Sequence, residues 1–180
     1  MTFRPFLRFV AIAPSLFLYG CALRHPVASI KQAVGVEPSI QLQGSAASDA
    51  NANSVVPFDI VVVQDKGTAK ELATMDASTW FGNKGRCTYS GGKKPKLQFH
   101  SWEFVPGQSF ALHVAVPANT EAIFGFAQYA SSGPHRVDFA VSGDQTFELA
   151  ANGVHLSQQR PNLPANPTFA TEKQNVCPDQ

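Results

Sequence analysis

The residues of this 180-residue chain that could do chemistry are three cysteines, five histidines and a few carboxylates. The cysteines stand far apart, at Cys21, Cys87 and Cys177, and no Cys-x-x-Cys pair occurs. No histidine has another histidine or a carboxylate at the i+4 spacing that places two ligands on one helix face. The sequence therefore predicts neither a metal site nor a cofactor. The histidines are His25, His100, His113, His135 and His155.

Catalytic motifs are equally scarce, since the chain has no GxSxG, P-loop, HExxH or GxGxxG sequence. Ser101 follows His100, but a nucleophile and its base must meet in space with a third, orienting group. Asp59 and Asp138 are isolated carboxylates on strand-like segments, whereas paired acid–base catalysis needs both groups in one cleft. We predict no catalytic residue, and a hydrolase that uses His100 or Asp59 is the less favoured alternative.

The composition excludes further classes of function. Fourteen Lys and Arg residues against thirteen Asp and Glu residues give a formal net charge of +1, which argues against a chain built to hold nucleic acid. Apolar residues make up 44% of the chain and charged residues only 15%, so we expect a folded domain with a packed core. We expect neither a nucleic acid nor a small-molecule substrate as its partner.

Residues 1–20 have the pattern of a secretory signal peptide. Two arginines precede an uncharged, mostly apolar run over residues 9–19, which is too short to span a bilayer. The run ends in Leu18-Tyr19-Gly20-Cys21, which resembles the bacterial lipobox and implies cleavage before Cys21 and acylation of that residue. Ala22, where an Asp would favour retention at the inner membrane, favours the outer membrane by the same resemblance. The alternative is an ordinary secretion signal in which Cys21 is incidental.

Lipidation of Cys21 would leave Cys87 and Cys177 as an even pair in the oxidising periplasm. Such a pair can form a disulfide, and we predict one. It would close a loop of about 90 residues and stabilise the fold by roughly 4 kcal/mol in the chain-entropy model. It would also hold residues 158–180, a tail that contains four prolines.

Residues 38–157 carry short strand-like segments separated by turn residues, with residues 21–37 as a tether that precedes them. After residue 96 these segments recur about every ten residues, which is typical of an all-β sandwich of the immunoglobulin-like kind. Gly143-Asp144 predicts a tight hairpin between two of them. The predicted strands cover residues 39–43, 55–64, 96–105, 109–116, 121–130, 135–142, 145–150 and 154–156.

A short helical insertion is predicted over residues 68–81. Thr68 and Glu71 have the spacing of a capping box, in which each side chain bonds the other's backbone N–H. Asp76 is placed to begin a second short helix, and Gly82 to end it. We expect the Trp80-Phe81 pair to lie in the core and cover the sheet.

Several segments together resemble the type VI secretion outer-membrane lipoproteins of the TssJ type. They are a short alternating strand at Ile40-Gln-Leu-Gln43, a small-residue loop with asparagines, and the apolar strand from Val56 to Asp65. Trp102-Glu103-Phe104-Val105-Pro106-Gly107 is similar to the family's strand that ends in Pro-Gly. Phe124-Gly125-Phe126-Ala127-Gln128-Tyr129 is similar to its central strand. The resemblance covers residues 38–157 and depends on the order of these motifs together with the lipobox.

This resemblance implies a transthyretin-like sandwich, anchored by its lipid to the periplasmic face of the outer membrane. It also implies a partner, the periplasmic part of a TssM-type inner-membrane component, bound through the loop after the first strand. An ordinary connection between two strands is the alternative for that loop. A periplasmic ligand-binding or inhibitor lipoprotein is the alternative for the whole chain. By position, the partner-binding loop comprises Ala46, Ala47, Ser48, Asp49, Ala50, Asn51, Ala52, Asn53 and Ser54.

Overall fold

In the part of the chain that the structure describes, eight short strands form two four-stranded sheets, and each strand has apolar side chains facing the interior. The computed structural model describes residues 38–82, 85–90, 97–163, 170–173 and 177. The strands are β1 Ser39–Ala46, β2 Val56–Val63, β3 Leu97–Phe104, β4 Ser109–Ala115, β5 Ala122–Ala127, β6 Arg136–Phe139, β7 Gln145–Ala150 and β8 Gly153–Ser157.

The first sheet has the order β4-β1-β7-β8 and the second the order β3-β2-β5-β6. Strand β1 lies parallel to β7 and antiparallel to β4. The strands of the second sheet are all antiparallel to their neighbours. This arrangement confirms the predicted all-β sandwich with a short helical insertion. Within the part of the chain described, no helix is long and apolar enough to cross a membrane.

The core lies between the two sheets because alternate residues of each strand face inward. Phe58 of the second sheet and Phe147 of the first stack with ring centroids 5.0 Å apart. Phe104 and Phe110 stack at 3.6 Å across the same interface. Each large apolar side chain buried in this way contributes about 1.5–3 kcal/mol relative to an exposed one.

Strand β2 reads as an unbroken apolar run because both of its faces are covered. Its inner side chains join the core between the sheets, while Val61 and Val63 face outward. The outward pair packs against Leu72 and Trp80 of the helical insertion, and all four residues are fully buried. Trp80 also stacks on Phe126 with a centroid distance of 5.0 Å, so it covers the sheet as predicted.

The insertion, where it is described, contains three short helices: α1 Lys66–Leu72, α2 Ala77–Phe81 and α3 Arg86–Ser90. The predicted capping box at Thr68 is wrong, because Asp65 is the N-cap and its Oδ2 accepts from the Thr68 N–H at 2.7 Å. Thr68 therefore lies inside the first turn and donates its hydroxyl to the same oxygen. Asp76 caps α2 as predicted, accepting from the Thr79 N–H at 2.7 Å.

The predicted hairpin at Gly143-Asp144 is also wrong. Strand β6 pairs with β5 in the second sheet, whereas β7 pairs with β1 and β8 in the first. Residues 140–144 therefore cross from one sheet to the other. Gly143 has φ +81°, a conformation that suits both a hairpin and this crossing. The local sequence does not distinguish the two because strand pairing is decided by distant residues.

Candidate functional site

Four connections meet at one end of the sandwich, which we call the loop end. They are residues 47–55, 105–108, 128–135 and 151–152, each joining strands that end or begin there. Pro38, where the described chain begins, lies at the opposite end because β1 runs the full length between them. At about 3.3 Å per residue, that strand separates Pro38 from the loop end by roughly 25 Å.

The predicted partner-binding loop has an unusual backbone. Asn51, Ala52 and Asn53 are consecutive left-handed residues, with φ of 47°, 53° and 62°. Asparagine tolerates this conformation, but alanine does so at a cost of about 1–2 kcal/mol. The loop is thus a bent and specific shape rather than a slack connection between strands.

Hydrogen bonds to three neighbouring segments hold this loop. The Asn51 Oδ1 accepts from the Ala130 N–H at 2.7 Å, and the Asn51 Nδ2 donates to the Val55 carbonyl at 2.9 Å. The Asn51 N–H donates to the Ala151 carbonyl at 3.1 Å. At the start of the loop, Gly107 donates to the Ala46 carbonyl at 2.8 Å. Asn51 therefore joins the loop to two other connections, residues 128–135 and residues 151–152.

Within the predicted set, Ala46 and Ala50 are buried and serve as anchors of the loop. Ala47 and Asn51 are half-buried. The side chains that solvent reaches are those of Ser48, Asp49, Ala52, Asn53 and Ser54. The structure thus divides the nine residues into a supporting part and a presenting part.

Two large apolar side chains extend the presenting part beyond the predicted loop. Val55 is 42% exposed and Val105 is 48% exposed. Each lies one residue outside Val56–Phe104, the last register pair of β2 and β3, so the two valines adjoin at the loop end. The sequence placed both in strands, because an apolar residue at a strand terminus looks the same whether or not anything covers it.

A cleft of about 450 Å³ opens beside one of these connections, residues 128–135. Residues of the β5–β6 connection form one wall, and the beginning of α2 forms the other. Asp76 is the charged carboxylate among its lining residues, and hydrogen bonds from Thr79 and Ser78 lower its pKa below the ordinary value. Its lining includes Asp76, Ser78, Gln128, Tyr129, Ser132 and His135.

Tyr129 and His135 give the wall of this cleft its shape. The Tyr129 hydroxyl lies 2.9 Å from the Ala150 carbonyl and 2.8 Å from the Gly153 carbonyl. His135 stacks on the Tyr129 ring at 4.7 Å, and its Nε2–H donates to the Ser131 carbonyl at 2.9 Å. Burial, aided by the charge of Glu148, raises the pKa of Tyr129 well above its ordinary value, so it stays a neutral donor.

A second polar group, Asp59, lies beneath the helical insertion on the outer face of β2. Its Oδ2 accepts from the Trp80 Nε1–H at 2.8 Å and from the Arg86 guanidinium at 3.2 Å. Burial raises the pKa of Asp59, while the adjoining Ser101 and Trp80 side chains and the Arg86 charge oppose this rise. The group fastens α2 and α3 to the sheet.

His100 and Asp59 do not form a common site. Asp59 stands opposite Ser101 in the register, and His100 stands opposite Ile60, so alternation places His100 on the other face of the sheet. His100 pairs instead with Glu172, Nδ1 to Oε1 at 2.9 Å. The described residues contain no group of three or more His, Cys, Asp or Glu side chains able to hold a metal ion.

Cys87 and Cys177 are joined in a disulfide, with Cα atoms 5.4 Å apart. Described parts of the tail also contact the sandwich, since the Lys173 N–H donates to the Ser101 carbonyl at 2.7 Å. Cys21 and the predicted signal peptide and tether lie outside the described residues. Asp138 is exposed on β6, where it pairs with Arg136 at 3.0 Å.

The sequence matches no protein-family model and no curated protein. Solved structures do resemble this fold. The type VI secretion lipoprotein TssJ1 from Pseudomonas aeruginosa aligns over 69% of this chain and 99% of its own, with a TM-score of 0.50 and 12% identity. A chain of a type VI membrane complex aligns over 66% and 97%, with a TM-score of 0.52 and 14% identity.

Serratia marcescens Lip, a membrane-bound component of the type VI secretion system, aligns over 67% of this chain and 97% of its own, with a TM-score of 0.49 and 12% identity. At these identities the likeness concerns the fold. The chain is thus a β-sandwich similar to type VI secretion lipoproteins of the TssJ type, as the sequence motifs indicate. The share of this chain left unaligned is about as large as residues 1–37 and the tail together.

Proposed function

We propose that this protein is an outer-membrane lipoprotein that anchors a type VI secretion membrane complex. Cys21 would carry the lipid and hold the sandwich on the periplasmic face of the outer membrane. The loop end would bind the periplasmic part of an inner-membrane partner of the TssM type. The fold, similar to that of TssJ lipoproteins, and the lipobox support this proposal together.

The observation that carries the proposal is the position of the loop end opposite Pro38. A tether that leaves the sandwich at Pro38 would turn that end toward the membrane and present the loop end to the periplasm. Lipidation would also confine the protein to a surface and so raise its effective concentration for a membrane-bound partner. Several acyl chains on one residue make release negligible, because each buried methylene adds about 0.8 kcal/mol.

Three features of the loop end support the binding of a protein partner there. Val55 and Val105 supply a small apolar centre, and the polar side chains of residues 48–54 form its rim, an arrangement typical of interfaces. The hydrogen bonds of Asn51 fix the loop before binding, so little conformational entropy is lost when a partner docks. The cleft beside Asp76 adds a concave part to the same surface.

A matched pair of variants tests the site. Val55 and Val141 are both 42% exposed, but Val141 follows β6 at the opposite end. We expect Val55→Asp to weaken capture of the partner's periplasmic domain by tenfold or more, which is about 1.4 kcal/mol, while Val141→Asp leaves it unchanged. Equal effects of the two substitutions would contradict binding at the loop end. Recovery of a soluble periplasmic enzyme, with no inner-membrane protein, would favour the inhibitor alternative.

Cell fractionation tests the anchor separately. We expect Cys21→Ser to move the protein out of the outer-membrane fraction, because the acylated side chain is lost. Mass spectrometry of the wild-type protein should find a processed and acylated Cys21. A Cys21→Ser protein that remains in the outer membrane would contradict lipid anchoring, whatever the outcome of the capture experiment.

A further inference from the structure

The tail forms a strap across one side of the sandwich, which we define as residues 170–173 and Cys177. Lys173 makes an antiparallel bridge with Ser101 of β3, and Ala170 donates its N–H to the Ala111 carbonyl of β4 at 3.4 Å. Strands β3 and β4 are the edge strands of the two sheets. The strap therefore spans the gap between two edges and occupies the outer edge of β3.

The non-covalent contacts of the strap are weak. Its two ion pairs, Glu172 with His100 and Lys173 with Glu103, involve side chains that solvent reaches, and such pairs contribute little stability. In the described part of the tail, the backbone adds one bridge to β3 and one long hydrogen bond to β4, and Ala170 adds a small apolar contact with the core. These contacts place the strap but do not hold it firmly against competition.

The disulfide supplies what these contacts lack, because its other end is fixed. Cys87 lies in α3 next to Arg86, whose guanidinium bonds the buried Asp59 carboxylate of β2 at 3.2 Å. Tyr89 of the same helix stacks on Trp80 at 6.0 Å. A covalent link to this helix keeps the strap at high effective concentration beside β3.

An uncovered outer edge of β3 would offer backbone groups to another strand. The Ser101 carbonyl points outward, as its bond from Lys173 requires, and alternation gives its N–H the same direction. Edge strands of this length pair readily with other chains unless something covers them. An antiparallel edge also complements itself about a twofold axis, so a second copy fits it.

We propose that the strap is a disulfide-fastened guard of the β3 edge, and that reduction frees this edge to pair with the same edge of a second copy. A dithiol reductant transfers two electrons and two protons to the Cys87–Cys177 bond. The S–S bond breaks, both sulfurs become thiols, and the reductant closes its own disulfide. Both cysteines are half-buried, so a reductant reaches them without unfolding the sandwich.

Hydrogen exchange and native mass spectrometry of the full protein in detergent micelles test whether reduction releases the strap from the β3 edge. With a dithiol, the Lys173 amide, which donates to the Ser101 carbonyl, should exchange at least tenfold faster at low protein concentration, and dimers should form as the concentration rises. The amides of His100 and Trp102 point toward β2 and should stay protected, which shows that the sheet remains folded. Cys177→Ser should behave like the reduced protein and not respond to the dithiol.

A pair of substitutions at Glu103, made in the Cys177→Ser background, tests whether the freed β3 edge is the surface that pairs with a second copy. Glu103→Pro removes an N–H that points outward from β3 and should keep the protein monomeric. Glu103→Gln removes only the charge and should still allow dimers. Unchanged exchange of the Lys173 amide after reduction, a reduced protein that stays monomeric, or dimers of the proline variant would each overturn the proposal.

Discussion

Asp59 on β2 and Arg86 on α3 form an ion pair of 3.2 Å beneath the helical insertion, with the Asp59 side chain 1% exposed and that of Arg86 22% exposed. The pair joins β2 of the sandwich to α3, the helix that contains the disulfide-bonded Cys87. Removing one partner of a buried pair leaves a charge without compensation, and this costs more than the intact pair contributes.

We expect Arg86→Met to destabilise the protein by roughly 2 kcal/mol at neutral pH, less than a fully buried pair would cost because Arg86 is partly exposed. The Arg86 charge lowers the Asp59 pKa, which burial raises, so its removal raises that pKa further. A carboxyl whose pKa is higher in the folded state than in the unfolded state stabilises the fold at a pH below its unfolded-state pKa. This stabilisation is lost as the pH rises through its folded-state pKa. The free energy of unfolding that Arg86→Met removes should therefore be smaller at acidic pH than at neutral pH.

Denaturant unfolding at neutral and at acidic pH measures this difference. Lys173→Met is the matched control, because it removes a cation from the exposed pair with Glu103. That control should change the free energy of unfolding by less than about 0.5 kcal/mol. An Arg86→Met deficit that stays constant with pH would contradict the account.

Tyr129→Phe should cost about 1–2 kcal/mol, since the Ala150 and Gly153 carbonyls lose their shared donor. The raised pKa of Tyr129 has a second consequence. Its stabilising contribution is complete below the unfolded pKa and lost as the pH rises through the folded one. The wild type should therefore lose stability as the pH rises through the folded pKa of Tyr129, and the Tyr129→Phe variant should lose less over the same pH range. Tyr89→Phe, at a more exposed position whose pKa is raised to about 12 by burial and Glu71, should have a smaller effect.

Asn51→Ala and Asn53→Ala compare a residue whose side chain holds the loop in place with one whose side chain the loop exposes. Both residues are left-handed, so both variants pay a similar backbone cost. Asn51 also loses two side-chain hydrogen bonds, for an added cost of about 1–2 kcal/mol. Thermal unfolding should show the larger loss for Asn51→Ala, and partner capture should weaken with it. Equal thermal losses would mean that the side chain of Asn51 does not hold the loop.

Local patterns predicted most of the strands because alternation of apolar side chains is a property of neighbouring residues. Residues 109–116, predicted as a strand, form β4 over Ser109–Ala115. Gly44 obscures the pattern of β1, which was predicted to end at Gln43 and extends to Ala46. The helix start was missed because Asp65 and Thr68 are both good caps, and only the chain direction after β2 selects between them.

The candidate site was less predictable, because exposure depends on what distant segments cover. The loop itself followed from its family resemblance, but Val55, Val105 and the cleft arise from connections far apart in the sequence. The hairpin error has the same origin, since the partner of β7 is β1, about a hundred residues earlier. Asn51 carried no signal beyond its type, although its bonds to Ala130 and Val55 organise the loop end.

Gly44 gives a steric test of the contact between the two sheets. A Cβ at this position would lie 2.2 Å from Phe110 Cε2 and 2.9 Å from Phe147 Cζ. We expect Gly44→Ala to destabilise the fold by about 1–3 kcal/mol through overpacking. Gly107→Ala is the contrast, because nothing lies within 4 Å of its Cβ and only its φ of +83° opposes the change. In denaturant unfolding, the double variant with Gly44→Ala and Phe110→Leu should lose less free energy of unfolding than the sum of the losses of the two single variants. Strict additivity would mean that the ring of Phe110 does not set the requirement for glycine.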